Sequence, residues 1–340
     1  MKEALFYRKL EGGKVRCELC PHNCAIALGK RGICGVRENH QGVLYSLVYG
    51  KVVSAHVDPI EKKPFFHFLP GSYSYSISTV GCNFRCLFCQ NWEISQMPRE
   101  YHQIVGQNMT PEEVVAEALE NTCQSISYTY TEPTIFFEFA YDCAKLAQSK
   151  GLKNNFVTNG YTNLPAIEMI APYLDAANVD LKSFREEYYL KICGGRLAPV
   201  LETLKFMRKL NIWVEVTTLV IPGLNDSKEE LKDIANFIKN ELGDDVPWHI
   251  SAFYPHYKML DRPPTPAQTL VKAREIGIGV GLKYVYTGNI PIPGAEDTYC
   301  PACHKPLIVR SGFSVLENKV KDGKCSYCGV EVSGVWGDQP

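Results

Sequence analysis

The chain has 340 residues, 45% hydrophobic and 21% charged, a balance typical of soluble globular proteins with one large domain or a core with appendages. Its net charge of −1 supplies no global field for nucleic acid or an anionic membrane, so neither is expected as a partner. No run reaches the roughly 18 apolar residues of a membrane span, and the first residues lack a secretion-type apolar stretch.

Fourteen cysteines are many for this length. Eleven fall into three tight groups, while Cys123, Cys143 and Cys193 stand apart. Such grouping, without a secretion signal, points to metal ligands in a reducing cytoplasm rather than to a disulfide framework.

In chain order, the first group is Cys17, Cys20, Cys24 and Cys34, with His22 as a possible substitute ligand. Four sulfurs suit a structural zinc or an iron–sulfur site; spacing does not separate the two, and zinc is the reading adopted. Residues 42–59 alternate enough to predict a hairpin turning at Gly50-Lys51. The proline-bounded stretch 58–71 predicts an ordered loop, with His67 packed among Phe65, Phe66 and Phe68 rather than functional.

From Tyr73 onward, β-branched runs alternate with helical periods. Strands are predicted near 74–81, 125–131, 153–159, 176–182, 211–220, 247–254 and 283–288. Helices are predicted near 111–121, 134–150, 164–173, 184–192, 197–209, 227–241 and 266–276. Thr110-Pro111-Glu112-Glu113 carries the N-cap, the proline and the early acids of a helix start. The alternation predicts an α/β fold with a parallel sheet, a partial (β/α)6 TIM-like barrel, and functional groups at the C-terminal ends of its strands.

The first core strand runs into Gly81-Cys82-Asn83-Phe84-Arg85-Cys86-Leu87-Phe88-Cys89. Three thiolates at C-x3-C-x2-C spacing can hold three corners of a four-iron cluster, leaving one iron open to a small molecule. The alternative is a zinc knuckle with a distant fourth ligand. Later strand ends carry Glu132, Asn159, Asp180 with Lys182, Thr217, and the histidines His249 and His256. Asp180 and Lys182 alternate onto one side of their strand. Cys193, beside Gly194 and Gly195, is read as structural unless it faces the cavity. The tail closes with Cys300-x2-Cys303 and Cys325-x2-Cys328, 21 residues apart. Two such knuckles with strand-like sequence between them predict a zinc ribbon or rubredoxin-like unit, stapling a tail too small to fold unaided. The organisation expected is residues 1–72 as a Cys-rich segment with a hairpin, 73–290 as the core, and 291–340 as the metal-binding tail.

The loop GCNFRCLFCQNW, with an aromatic residue before its last cysteine, resembles the radical S-adenosylmethionine (SAM) superfamily. Its wider context is similar to the pyruvate formate-lyase activating enzymes. Together with the DPIEKKP block, TEP, TNG, VDLK and the terminal cysteine motifs, it looks like the radical SAM proteins of the AmmeMemoRadiSam system. The resemblance implies a [4Fe-4S] cluster on Cys82, Cys86 and Cys89 whose open iron is chelated by SAM. It also implies cleavage of SAM to methionine and a 5′-deoxyadenosyl radical that abstracts hydrogen from a small-molecule or protein substrate. A flavodoxin- or ferredoxin-type donor would supply the electron.

By the same resemblance, Phe88, Glu132, Asn159, Asp180, Lys182 and Thr217 are SAM contacts, together with His249 or His256. The relatives' acid before Thr158-Asn159-Gly160 is replaced here by Val157, and their Gly-Gly-Glu-Pro-like turn is matched only at Glu132 and Pro133. An activase acting on a glycyl radical enzyme is the alternative function. Activases often carry extra cysteines directly after the SAM motif, whereas here the extra cysteines flank the core. A zinc-ribbon binding module is the remote alternative.

Overall fold

A computed structural model of the chain describes residues 1–337; the last three residues assigned to the tail unit lie outside the described residues. Eight strands form one sheet: β1 (Ser54–Pro59), β2 (Tyr73–Ser78), β3 (Ser125–Tyr128), β4 (Lys153–Thr158), β5 (Ala176–Asp180), β6 (Trp213–Val220), β7 (Trp248–Ala252) and β8 (Val285–Gly288). They lie side by side in chain order. Strands β2 to β8 are parallel, and β1 is antiparallel to β2 at the edge.

Successive parallel strands are joined by helices α1 (Pro111–Glu120), α2 (Phe137–Ser149), α3 (Leu164–Ile170), α4 (Leu197–Lys209), α5 (Lys228–Phe237) and α6 (Ala267–Val280). Six crossovers over an open parallel sheet make the expected partial barrel. Helix α1 begins as its sequence predicts: the Thr110 hydroxyl accepts from Glu113 N at 3.2 Å, and the Glu113 carboxylate accepts from Thr110 N at 2.7 Å. Among the described residues no helix is long and apolar enough to cross a membrane.

The predicted hairpin at Gly50-Lys51 is not formed. The local hairpin pairs Arg37–His40 with Val43–Ser46 and turns at Gln41-Gly42, whereas Ser54–Pro59 pairs with Tyr73–Ser78 of the core. Alternation marks a half-buried strand but does not name its partner, and β1 found a distant one.

The block between β1 and β2 closes the barrel at its N-terminal end. Ile60, Phe65 and Phe68 pack there against Ala176 and Trp213, the first residues of β5 and β6. The Glu215 carboxylate accepts from Phe66 N (3.0 Å), His67 N (2.9 Å), Trp213 Nε1 (3.1 Å) and His249 Nε2 (2.6 Å). Burial alone would push Glu215 up, but these donors, led by His249, hold it below its ordinary value. His67 is fully buried between Tyr286 Oη (2.6 Å) and Ser333 O (2.7 Å), the packing role expected of it. The tail docks on the same block: Arg310 donates to Phe66 O at 2.8 Å, and Val335 bridges His67 and Leu69.

Candidate active site

The cysteine loop leaves the C-terminal end of β2, opposite the plugged end. Gly81 has φ +104°, and a Cβ there would lie 2.6 Å from Val36 Cγ1, so only glycine fits. Arg99 clamps the loop, donating to Cys82 O and Phe84 O, each at 2.8 Å. A π-helical turn, Tyr189–Cys193, supports it from behind: Arg85 N donates to Cys193 O (2.8 Å) and Leu87 N to Ile192 O (3.1 Å). Gly195 is needed there, because a Cβ would sit 2.2 Å from the Phe84 ring. Cys193 is fully buried beside Cys86 and does not line the cavity, in keeping with a structural role.

Cys82, Cys86 and Cys89 line one cavity of about 330 Å³ together with Phe88, Asn159, Asp180, Lys182 and Thr217. Burial pushes the Cys82 thiol well up and Cys89 to about 11; for Cys86 the adjoining Cys193 thiol acts first, then burial. A bare trio of thiolates is therefore disfavoured, and a positively charged metal core is what this donor set suits.

Across the cavity, the Lys182 ammonium pairs with Asp180 at 2.8 Å and lies 5.7 Å from the Phe88 ring centroid. Burial opposes its charge, but Asp180 and the neighbouring thiols outweigh that and hold its pKa well above the ordinary value. The Asn159 amide donates to Asn83 Oδ1 (2.8 Å) and approaches Cys82 Sγ (3.7 Å). Thr217 donates to Asn178 Oδ1 at 2.7 Å.

Three predicted contacts sit elsewhere. Glu132 is fully buried and does not line the cavity; its carboxylate accepts from Thr134 N, Thr134 Oγ1, Thr158 Oγ1 and Asn159 N at 2.6–3.0 Å. It holds Thr158 and Asn159, which do line the cavity. His249 shares a strand with the cavity-lining Ser251, but two residues earlier, about 7 Å lower in the barrel, where it holds Glu215. His256 is exposed in the loop after β7 and also lies off the cavity. An amphipathic strand predicts which side a residue faces, not how deep it sits.

An interior charge network was not anticipated from the residue pattern. Asp58 takes Lys62 (2.8 Å), Lys63 (2.5 Å) and the Tyr130 hydroxyl, and both lysines and Tyr130 line the cavity. Burial drags Lys63 down to about 8 despite Asp58. Tyr130 adopts φ +61°, a strained value for a bulky residue. The signal available was the acid–lysine pattern of DPIEKKP.

In the tail, Cys300 Sγ lies 3.6 Å from Cys328 Sγ, and Cys303 Sγ 3.8 Å from Cys325 Sγ. All four sulfurs fall within 4.8 Å of one another, a set that fits a single tetrahedral ion. The hairpin between the knuckles, Pro306–Ser311 with Ser314–Asn318, is the strand pair their sequence predicts.

A sequence model of the "Radical SAM superfamily" matches residues 76–238. An uncharacterized protein of Methanocaldococcus jannaschii is 48% identical over 334 residues, covering 98% of this chain and 99% of its own length. A pyruvate formate-lyase-activating enzyme of Clostridium pasteurianum is 26% identical over 166 residues, covering 47% of this chain and 67% of its own. Among solved structures, a radical SAM methyltransferase from Sphaerobacter thermophilus superposes with a TM-score of 0.50 at 15% identity, over 66% of this chain and 68% of its own. Sequence match, barrel and cysteine loop agree: the chain belongs to the radical SAM superfamily and is an enzyme of that class.

Proposed function

We propose that Cys82, Cys86 and Cys89 hold a [4Fe-4S] cluster with one iron free for SAM, and that the enzyme abstracts hydrogen from a substrate held in the same cavity. The observation that carries this reading is the meeting of three thiols, one amide and one lysine–carboxylate pair at the C-terminal strand ends, around one cavity. When bound and reduced, the cluster supplies the electron that cleaves SAM to methionine and a 5′-deoxyadenosyl radical.

The chain's own residues bind and orient. Lys182 is charged and faces the place where a carboxylate would balance it, while Asp180 fixes its position. Asn159, itself held by Asn83, sets the Cys82 side of the site. Phe88 and Thr217 line the same cavity. Glu132 acts through Thr158 and Asn159, which it holds, rather than by contact. The 1–72, 73–290 and 291–340 division remains our reading of the organisation, with zinc in the tail and a flavodoxin- or ferredoxin-type protein as electron donor.

The test is anaerobic incubation of iron-loaded protein with dithionite and SAM. Formation of 5′-deoxyadenosine is expected; none from protein with a full cluster would sink the reading. The second reading is an activase acting on a glycine of a partner enzyme, favoured by the resemblance to the Clostridium pasteurianum activating enzyme. A glycyl radical signal by electron paramagnetic resonance, on adding a partner, would select it.

A further inference from the structure

The four N-terminal cysteines differ from the tail's in how closely their sulfurs gather. Sulfur ligands alone do not separate zinc from iron–sulfur cores. One zinc ion with bonds near 2.3 Å holds its four sulfurs about 3.8 Å apart. The tail cysteines meet that spacing at 3.6 and 3.8 Å. Among the described residues they are the only group of three or more possible ligands with donor atoms within 4.8 Å of one another. No three of Cys17, Cys20, Cys24 and Cys34 reach it, and neither do Cys82, Cys86 and Cys89.

The N-terminal four nevertheless line one small cavity. A cubane interposes four irons and four sulfides between its ligands, so its thiolates stand wider apart than those around one ion. The N-terminal set, like the three cysteines of the catalytic loop, thus falls outside the tail's spacing.

The cavity is also built for charge. Ile33 N donates to Cys24 Sγ at 3.5 Å. Arg37 lines the cavity, is 1% exposed, and its Nε has no hydrogen-bond partner although its other nitrogens hold Glu138 and Leu5 O. A buried guanidinium N–H left without an acceptor is costly, and sulfur of a bound cluster would supply one. His22 is not free to replace a cysteine through Nε2, which is held by Asn83 O at 2.8 Å.

We propose that Cys17, Cys20, Cys24 and Cys34 hold a second [4Fe-4S] cluster, fully ligated by cysteine, in place of the zinc expected from sequence. With no open iron it is not a second site for SAM. It sits against the catalytic loop: Arg99 ties Ile33 O (2.6 Å) to Cys82 O (2.8 Å), and a Cβ on Gly81 would lie 3.2 Å from Cys34 O.

The test uses the full chain with Cys82, Cys86 and Cys89 all replaced by alanine, reconstituted anaerobically with iron, sulfide and zinc. Retention of about four irons, the content of one cubane, with a reduced-cluster paramagnetic signal supports the proposal. Absence of iron with a second zinc per chain overturns it. Anomalous scattering at the iron and zinc edges on crystals of the unaltered protein separates the two metals without any substitution: iron at Cys17–Cys34 supports the proposal, zinc there refutes it. Neither readout involves SAM, so this proposal and the catalytic reading fail separately.

Discussion

Lys182 is the residue on which SAM binding most depends in the proposed site. It offers the cavity an ammonium whose charge is secured by Asp180. Lys182→Ala removes a charged hydrogen bond of about 2 kcal/mol, so the KM for SAM should rise more than tenfold. An unchanged KM in 5′-deoxyadenosine formation would remove Lys182 from the site. His67 makes a different prediction. Burial lowers it from 6.5 to about 4. The folded chain therefore leaves His67 neutral until about pH 4, while the unfolded chain takes up its proton near 6.5. Its contribution is fully present above pH 6.5 and is lost as pH falls towards 4. Denaturant unfolding should show a loss on the order of 3 kcal/mol across that window, absent in His67→Gln. Parallel pH profiles for the two proteins would refute the assignment. His67 was legible as a packed histidine from its three phenylalanines. Its partners Tyr286 and Ser333 were not, because they lie more than 200 residues away.

At the scale of elements, the cysteine loop depends on the turn behind it. Of the two glycines after Cys193, Gly194 makes room for Arg85 and Gly195 for Phe84. In Gly195→Ala a methyl would sit 2.2 Å from the Phe84 ring, so the loop must move. Iron bound by the Cys82–Cys89 loop should fall, and 5′-deoxyadenosine formation with it, while overall secondary structure persists. Full iron content in that variant would contradict the close fit. Helix starts and strand positions were readable locally: the Thr110 capping box and the strand ends at Asp180 and Asn159 depend on neighbours in sequence. Pairing of Ser54–Pro59 was not, since a strand's alternation is satisfied by any partner with a matching face.

At the scale of the molecule, the tail and the barrel share a core. Phe66, Tyr284 and Tyr286 pack with Cys300, Leu307 and Ile308. The Arg310 guanidinium lies 4.1 Å over the Phe66 ring and 3.7 Å from the fully buried Glu61 carboxylate. Removing a metal held by the four tail cysteines should loosen the plug under the barrel as well as the ribbon. Cys325→Ser is expected to lower Tm on the order of 10 °C. A fully retained Tm, with zinc absent, would show the ribbon to be dispensable for the core.

The order of residues alone determined the cysteine loop, the alternation of strands and helices, and the tail knuckles, because each is set by short spacings and local hydrogen bonding. Depth and distance across the fold belonged to the tertiary structure. It buried Glu132 under four donors, dropped His249 to the barrel floor and brought Lys63 and Tyr130 to the cavity. It also spread the N-terminal sulfurs wider than the tail's. Separations through space arise from packing between segments far apart in the chain, and no local pattern encodes them.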